Sequence, residues 1–337
     1  MNWSMNWSMN RSMERRHFIA LAGGAAAALM RPGCLHAQIP PRLPVIGVIG
    51  SDTASWTGWI APFEQHLRDF NRIGGRTVTI AYRWSEGRSD RLSAIVSEFI
   101  ALKADVIVTT GSAVSAVRRL APNTPIVFAV ALDPVTSGLV GSLQHPGGNV
   151  TGLSAQNVET AGRRVALLRQ MLPQLRRLAL VYERDCAAAM HERDVVAAAA
   201  RNLGMEMTAL DFGPADDVVT VLGRRGEAQA LYVCASALVA ANQARINAFA
   251  LDARLPAVHA AREFLKSGGL MSYGANYPDL FWQAAGYVDT ILRGARPGDL
   301  PVGKPSTFAF VVSLKTARAL DLTVPQDLLA QADAVIE

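Results

Sequence analysis

The chain has 337 residues, half of them hydrophobic and 18% charged, with a formal net charge of +5. Residues 1–37 hold four arginines and one glutamate, so the remainder carries about +2, too little to indicate a nucleic-acid-binding protein. Three cysteines exclude a disulfide-rich scaffold, and arginine doublets such as Arg163-Arg164 are scattered, as is typical of solvated helix ends. About 300 residues of this composition can bury a large core and usually divide into two domains.

The first segment, Met13–Gln38, has the pattern of an export signal. Arg15 and Arg16 provide a positive n-region, and an uncharged, alanine-rich run follows over Phe18–Met30. That run is shorter than the roughly 20 residues of a membrane-spanning helix. The paired arginines also resemble a twin-arginine signal, although general secretion stays open. We therefore predict that residues 1–37 are a signal peptide and that the mature protein is periplasmic.

Two details of this leader bear on its processing. Cys34 would carry a lipid anchor only within a lipobox, and the preceding Arg31-Pro32-Gly33 does not fit one, so lipid anchoring is not expected. The short repeat MNWSMNWSMNRS leaves both Met1 and Met13 open as the true start.

Two successive sets of strand and helix patterns follow the leader. The strands predicted in the first set are Leu43–Ile49, Thr77–Tyr82, Ala104–Thr109 and Pro125–Val130. Those predicted in the second set are Arg177–Tyr182, Met205–Leu210, Ala230–Cys234, Ala257–Ala260 and Leu270–Tyr273. Near-continuous apolar strands separated by helices are typical of parallel sheets covered on both faces. The sequence therefore predicts an α/β protein of two doubly wound lobes.

The lobe boundary is placed at a stretch rich in Pro and Gly, His145–Ser154. We assign residues 43–153 and roughly 277–312 to the first lobe and 154–276 to the second, and leave the lobe of residues 313–337 open. A chain that returns to the first lobe would join the two by a multi-strand hinge. Ligands of open α/β sheets bind beyond the carboxyl ends of the strands, so the loops after the strands are the candidate site.

The loop after the first strand contains polar and aromatic residues. Ser51 and Asp52 offer hydrogen-bonding groups, and Trp56 offers a ring on which a ligand could stack. The alternative for Trp56, and more so for Trp59, is packing under the following helix.

The loop after the third strand predicts an anion site. Thr110, Gly111 and Ser112 are interpreted as a strand end, a tight turn and an N-cap, with a helix starting near Ala113. Free backbone N–H groups at such a helix start suit a carboxylate. An ordinary helix cap is the alternative.

The remaining candidates follow other strands. Asp133, after the fourth strand, could hold a ligand ammonium group or cap the next turn. In the second lobe Ser236, Tyr273 and Asn276 are candidates, and Asn276 can both donate and accept.

Sequence motifs of enzymes are absent from the chain: it has no nucleophile elbow, zinc-protease, dinucleotide or phosphate-loop pattern. We expect no catalytic residues, no metal and no cofactor. Cys186 and Cys234 follow strands that should be neighbours, and whether they form a disulfide stays open.

Three stretches resemble a known family. They are DPVTSGLVGSLQHPGGNVTGLS, REFLKSGGLMSYGANYPDLFWQAAGYVDTILRG and FVVSLKTARALDLTVPQDLLAQADAVIE. They are similar to substrate-binding proteins of ABC transporters, more narrowly to the subfamily with members that bind tryptophan and other aromatic amino acids. The resemblance runs from about Leu43 to the C-terminus, and the REFLKSGGLMSYG block is specific.

This resemblance implies a type I periplasmic-binding-protein fold, a ligand clamped between the lobes, an ABC permease with its ATPase as partner, and no cofactor. It also implies that the turn Thr110-Gly111-Ser112 takes the ligand carboxylate and the Asp133 region its amine. The chain departs from relatives that are polar or acidic after the third strand of the second lobe, because it has Ala235-Ser236-Ala237 there.

We therefore expect a monomeric exported receptor that binds a small organic solute, an amino acid or aromatic compound, by hinge closure and delivers it to a permease. No nucleic acid is expected as a partner. A sensory receptor that feeds a signalling partner is the main alternative. A periplasmic enzyme is another, and a repressor effector domain would need a helix-turn-helix where this chain has its leader.

Overall fold

The computed structural model describes residues 42–51, 53–86 and 88–337, without the side chains of residues 53–55. The expected signal peptide and Cys34 lie outside these residues. Residues Arg42–Glu337 form one compact unit, in which the strands are gathered into two sheets.

The first sheet is entirely parallel. Its strands are β1 (Val45–Gly50), β2 (Thr79–Trp84), β3 (Val106–Thr110), β4 (Ile126–Ala131) and β5 (Val150–Ser154), in the order β2-β1-β3-β4-β5. The connecting helices are α1 (Thr53–Asp69), α2 (Ser89–Ala101) and α3 (Gly111–Leu120). Every residue of β1, β4 and β5 is buried, and burial on both faces explains why β1 and β4 have no polar side chain.

The second sheet has seven strands. They are β6 (Arg177–Glu183), β7 (Glu206–Phe212), β8 (Ala230–Val233), β9 (Ala257–His259), β10 (Met271–Ala275), β11 (Phe308–Ser313) and β12 (Ala334–Ile336), in the order β12-β11-β10-β9-β8-β6-β7. The pairing of β10 with β11 is antiparallel, and all the other pairings are parallel.

Eight further helices lie along the second half of the chain. They are α4 (Asn157–Met171), α5 (Ala187–Asn202), α6 (Val218–Leu222), α7 (Ala237–Ala241), α8 (Gln243–Asp252), α9 (Tyr277–Leu292), α10 (Leu314–Ala319) and α11 (Gln326–Leu329). Short 3₁₀ turns occupy Arg262–Ser267 and Pro297–Asp299. Every helix in the part of the chain that the structure describes is too short or too polar to span a membrane.

The chain crosses between the lobes three times. The first crossing leads from β5 to α4, and the second leads from β10 to α9, which packs against α1 in the core of the first lobe. The third returns to β11 in the second sheet. The first and third crossings lie side by side, because the Ser154 N–H donates to the Gly303 carbonyl at 2.9 Å. The prediction of two doubly wound lobes is confirmed.

The sheets add one strand that was not expected and change one lobe assignment. The stretch 145–154 contains β5, whose apolar residues Val150 and Leu153 are buried beside β4, and the chain crosses to α4 after this strand. Its glycines hid the strand pattern. The strand Phe308–Ser313 was expected in the first lobe, but it pairs with β10 in the second sheet. Because β12 then pairs with β11, the C-terminal segment also joins the second lobe.

The two cysteines follow neighbouring strands, since β6 and β8 pair directly. Cys186 is partly buried and Cys234 fully buried, and both are free thiols. Burial raises the pKa of the Cys234 thiol, which favours its protonated form.

Candidate ligand-binding cleft

The two lobes touch through side chains that follow the carboxyl ends of their strands. Trp59 of α1 donates its indole Nε1–H to Glu263 Oε1, in the second lobe, at 3.1 Å. Asp133, which follows β4, has its Oδ2 atom 2.9 Å from Nδ1 of His191 in α5. These contacts bring together the two edges at which ligands of open α/β sheets bind.

The carboxylate of Asp133 is already engaged. Its Oδ1 accepts the backbone N–H of Thr136 at 3.2 Å, and its Oδ2 pairs with His191. Burial works to raise the pKa of Asp133, but hydrogen bonds from Thr136 and pairing with His191 outweigh it and hold the pKa below its ordinary value. Asp133 therefore caps a turn, which was one of its two expected roles, and its contact with His191 joins the two lobes.

An aromatic cluster fills the cleft side of the first lobe. Its members are Trp56, Trp59, Trp84, Tyr277 and Phe281. The Trp56 and Phe281 ring centroids are 5.0 Å apart with planes at 83°, and those of Trp59 and Tyr277 are 5.4 Å apart at 74°; both are edge-to-face arrangements that aromatic pairs prefer. Tyr277 also packs against the core of the second lobe. The aromatic cluster therefore reaches the lobe interface.

Within this cluster Trp56 is a core residue. It is 1% exposed, and it was expected to face a ligand as one of two alternatives. The absence of a side chain at Gly50 allows Trp56 to be buried. A Cβ at this position would lie 2.3 Å from the Trp84 ring and 2.9 Å from the Trp56 ring, so only glycine lets both rings pack over the end of the strand. Trp59, the less favoured candidate, is the tryptophan that reaches the other lobe.

The loops after β1 and β3 retain their exposed polar groups. Ser51 is exposed, and its carbonyl accepts the N–H of Glu86 at 2.7 Å, whereas Asp52 lies outside the described residues. Helix α3 begins at Gly111 with Thr110 as N-cap, two residues earlier than expected, so Ser112 and Ala113 belong to its first turn. The Thr110 hydroxyl does not cap the helix and lies 3.4 Å from that of Ser112.

Two candidates of the second lobe have structural roles. Ser236 is buried and caps α7 by accepting the N–H of Val239 at 3.0 Å. Tyr273 lies inside β10 instead of ending it, and its ring is 6.0 Å from that of Phe308. The strand continues because Gly274 allows close approach of the preceding strand: a Cβ there would be 1.8 Å from the Ala260 carbonyl.

A fully buried ionic network, missed from the sequence, lies behind the cleft in the second lobe. Arg164 of α4 is 0% exposed and pairs with Glu192 of α5 at 2.6 Å. Its Nε–H donates to the Tyr232 hydroxyl at 2.6 Å, and that hydroxyl donates to Glu192 at 2.7 Å. Burial opposes the charge of Arg164, but Tyr232 and Glu192 outweigh this effect and raise its pKa. The doublet Arg163-Arg164 is therefore not a solvated helix end.

The other bonds of Arg164 reach the lobe crossings. Its terminal nitrogens donate to Thr160 Oγ1 at 2.8 Å, to the Tyr273 carbonyl at 3.0 Å and to the Asn157 carbonyl at 2.5 Å. With the bonds to Tyr232 and Glu192, all five guanidinium N–H donors are used.

Several buried polar atoms have no hydrogen-bond partner among the described residues. They are Nδ2 and Oδ1 of Asn157, Oδ1 of Asn247 and Asn276, both ring nitrogens of His259 and the hydroxyl of Ser272. Burial lowers the pKa of His259 to about 3, so its ring is neutral. Within the described ranges, no group of three or more His, Cys, Asp and Glu side chains is placed to hold a metal ion.

Comparison with known proteins agrees with this architecture. The profile of the ABC transporter substrate binding protein family matches residues 60–336. A tyrosine-binding protein of Clostridioides difficile (strain R20291) is 24% identical over 263 residues, which cover 77% of this chain and 75% of that protein.

Solved structures show the same fold. An ABC domain from Streptococcus pneumoniae in complex with L-Trp has a TM-score of 0.81 and 23% identity, over 88% of this chain and all of that chain. A substrate binding protein with adhesive properties from Clostridium difficile, in its ligand-free, open form, has a TM-score of 0.66 and 20% identity, over 87% of this chain and 99% of that one. The expected type I periplasmic-binding-protein fold is confirmed. The match of the family profile to most of the chain shows that it belongs to the ABC transporter substrate binding protein family.

Proposed function

We propose that this protein is the exported receptor of an ABC uptake transporter. It binds a small organic solute between its lobes, an amino acid or an aromatic compound, and aromatic amino acids are the first candidates. The observation that carries the proposal is the pair of side-chain bridges across the strand carboxyl ends, Trp59–Glu263 and Asp133–His191. Such bridges form only when the lobes approach, which is what a receptor that closes on its ligand requires.

The ligand class is supported by the relatives and by the aromatic cluster. One relative is a tyrosine-binding protein, and one solved structure holds L-Trp. In this chain Trp59 and Tyr277 bring aromatic rings to the lobe interface, where a ligand ring could pack edge to face. The free N–H groups at the start of α3, at Gly111 and Ser112, are suited to the ligand carboxylate.

Closure would then follow from differential binding. The ligand contacts both lobes only in the closed form, so its binding shifts the population toward that form. A micromolar receptor needs roughly −8 kcal/mol of binding free energy. Ring packing in the aromatic cluster together with charge-assisted hydrogen bonds to the ammonium and carboxylate groups would supply this order of magnitude.

The partners and location follow from the same proposal. The closed receptor would dock on a permease of the inner membrane as a monomer, after export through the leader at residues 1–37 and without lipidation of Cys34. No cofactor would take part.

A thermal-shift screen of the mature chain, beginning at Gln38, tests this function. Amino acids and aromatic acids would be added singly, and a ligand at 100 times its dissociation constant should add about 2.7 kcal/mol of stability. Small-angle scattering should then show a decrease in the radius of gyration with the same ligand. A chain that responds to no amino acid would contradict the proposed ligand class. Uptake into vesicles that carry the permease would distinguish transport from a sensory role.

A further inference from the structure

Two asparagines stand where the chain crosses between the lobes. Asn157 is the first residue of α4, directly after the first crossing, and Asn276 is the N-cap of α9, at the second crossing. The backbone N–H of Asn157 reaches the Leu132 carbonyl of the first lobe at 3.4 Å. Both residues therefore lie at the base of the cleft, where the lobes meet.

The side-chain amide of Asn157 is buried without a partner, and so is the amide oxygen of the half-buried Asn276. Asn157 is 1% exposed, and both its Nδ2 and its Oδ1 lack a hydrogen bond, as does Oδ1 of Asn276. A buried amide group without a partner is costly, so native structures rarely retain one unless another molecule satisfies it. Unpaired amide atoms at both crossings indicate a polar guest between the lobes.

The charged groups nearest to these asparagines are already occupied. Arg164 uses all five of its N–H donors within the second lobe. Glu192 accepts from Arg164 and Tyr232 through Oε1 and from the Ala235 N–H through Oε2. Asp133 is held by Thr136 and His191. A guest at the base of the cleft would therefore meet amides and not free charges.

We propose that the amides of Asn157 and Asn276 bind the ammonium and carboxylate groups of the amino-acid ligand, an inference that rests on the proposed function. The Oδ1 atoms accept from the ammonium group, and Nδ2 of Asn157 donates to one carboxylate oxygen, which leaves the other oxygen for the N–H groups at the start of α3. A neutral amide pair suits a zwitterion, because the guest brings both charges and the site adds none.

Arg164 and Tyr277 determine how the ligand would be oriented between the lobes. Arg164 is a positioning residue: it holds the Asn157 carbonyl at 2.5 Å and the Tyr273 carbonyl, three residues before Asn276, at 3.0 Å. It thereby ties the two crossings to one rigid group. Tyr277 follows Asn276 directly, and its ring lies 5.4 Å from that of Trp59. The side chain of a bound amino acid would extend from the amides toward the aromatic cluster.

Calorimetry with L-tyrosine and L-tyrosinamide, which keeps the ammonium group but has no carboxylate, tests the assignment. N157L and N276L, which remove the amides at similar volume, should each weaken L-tyrosine binding about tenfold or more. N157D and N276D add a negative charge and should shift the affinity ratio about tenfold toward L-tyrosinamide. The matched control is Asn247 of α8, which is also fully buried with an unpaired Oδ1 but lies in the second lobe under the 3₁₀ turn. N247D should leave the ratio unchanged.

The outcomes separate this inference from the function on which it rests. Wild-type binding of L-tyrosine with unchanged affinities in the asparagine variants would overturn the amide assignment alone. Binding of no aromatic amino acid by the wild type would overturn the proposed ligand class and the assignment with it. Each variant is checked by thermal unfolding, and N157S and N276S replace any leucine variant that does not fold.

Discussion

The two lobes have mostly parallel sheets, but different kinds of side chain fill their interiors. Behind its cleft edge the first lobe packs rings, with Trp56 and Phe281 edge to face at 5.0 Å. The second lobe places an ion pair at the corresponding depth, with Arg164 and Glu192 both buried and 2.6 Å apart. Aromatic rings contribute apolar contact area, which does not require one fixed geometry. The guanidinium of Arg164, in contrast, donates directed hydrogen bonds that hold the carbonyls in place. The first lobe therefore has an aromatic interior, and the second lobe has a buried cation that binds the carbonyls of two lobe crossings.

The largest expected loss of stability follows from removing the buried cation of the second lobe. R164M leaves Glu192 buried without its cation, so we expect a loss of about 3–5 kcal/mol in the free energy of unfolding. Chemical denaturation measures the loss, and hydrogen exchange should locate it in the second sheet. The control is R163M, because Arg163 is exposed and, within residues 42–51, 53–86 and 88–337, its side chain bonds only to Gln331; its cost should stay within about 0.5 kcal/mol. A stable R164M would show that the second lobe does not depend on its ionic network.

A loss of similar size with another cause is expected on the aromatic side. W56A removes a fully buried ring and should cost about 3–5 kcal/mol through lost burial and the cavity left behind. Faster hydrogen exchange should appear in the first sheet this time. W282A is the control, since Trp282 lies on the surface of α9 with 42% of its area exposed, and we expect about 1 kcal/mol or less. An equal increase in hydrogen exchange in both sheets of W56A would show that the aromatic cluster does not stabilise the first lobe in particular.

The smallest effect concerns the ion pair that joins the lobes. Asp133 has a lowered pKa, so its contribution is complete above the ordinary carboxyl range and is lost only as the pH falls through acid values; it stays charged between pH 5.5 and 8. H191Q removes the imidazole whose Nδ1 lies 2.9 Å from Asp133 Oδ2, and it should therefore weaken closure of the lobes.

Ligand affinity measured between pH 5.5 and 8, where Asp133 stays charged, checks the prediction. H191Q should lose up to about fivefold in affinity, the size expected for an exposed pair. H145Q, at an exposed histidine of a first-lobe loop, should bind as the wild type does. An H191Q variant with wild-type affinity would show that this contact does not contribute to closure.

The sequence predicted the strands well where apolar runs are uninterrupted, as in β1 and β4, because burial on both faces leaves no polar position. It missed β5, where glycine and proline precede a short strand. Arg164 could not be recognised, since its burial depends on Glu192 and Tyr232, which lie 28 and 68 positions away along the chain. Asp133 was a candidate from its position after a strand, but its partner His191 could not be recognised, because it is 58 positions away on the other lobe. Local sequence patterns identify helices and strands, whereas these contacts depend on how the helices and strands pack against one another.

The order in which segments join the sheets constrains how the protein can be made. Strands β11 and β12 come from the last thirty residues and complete the second sheet, while α9 covers the first. A nascent chain that still lacks its C-terminus would leave β10 as an unprotected edge, open to pairing with other polypeptides. The second sheet is therefore complete only once residues 308–336 have been added, whereas α9, which covers the first sheet, precedes them along the chain.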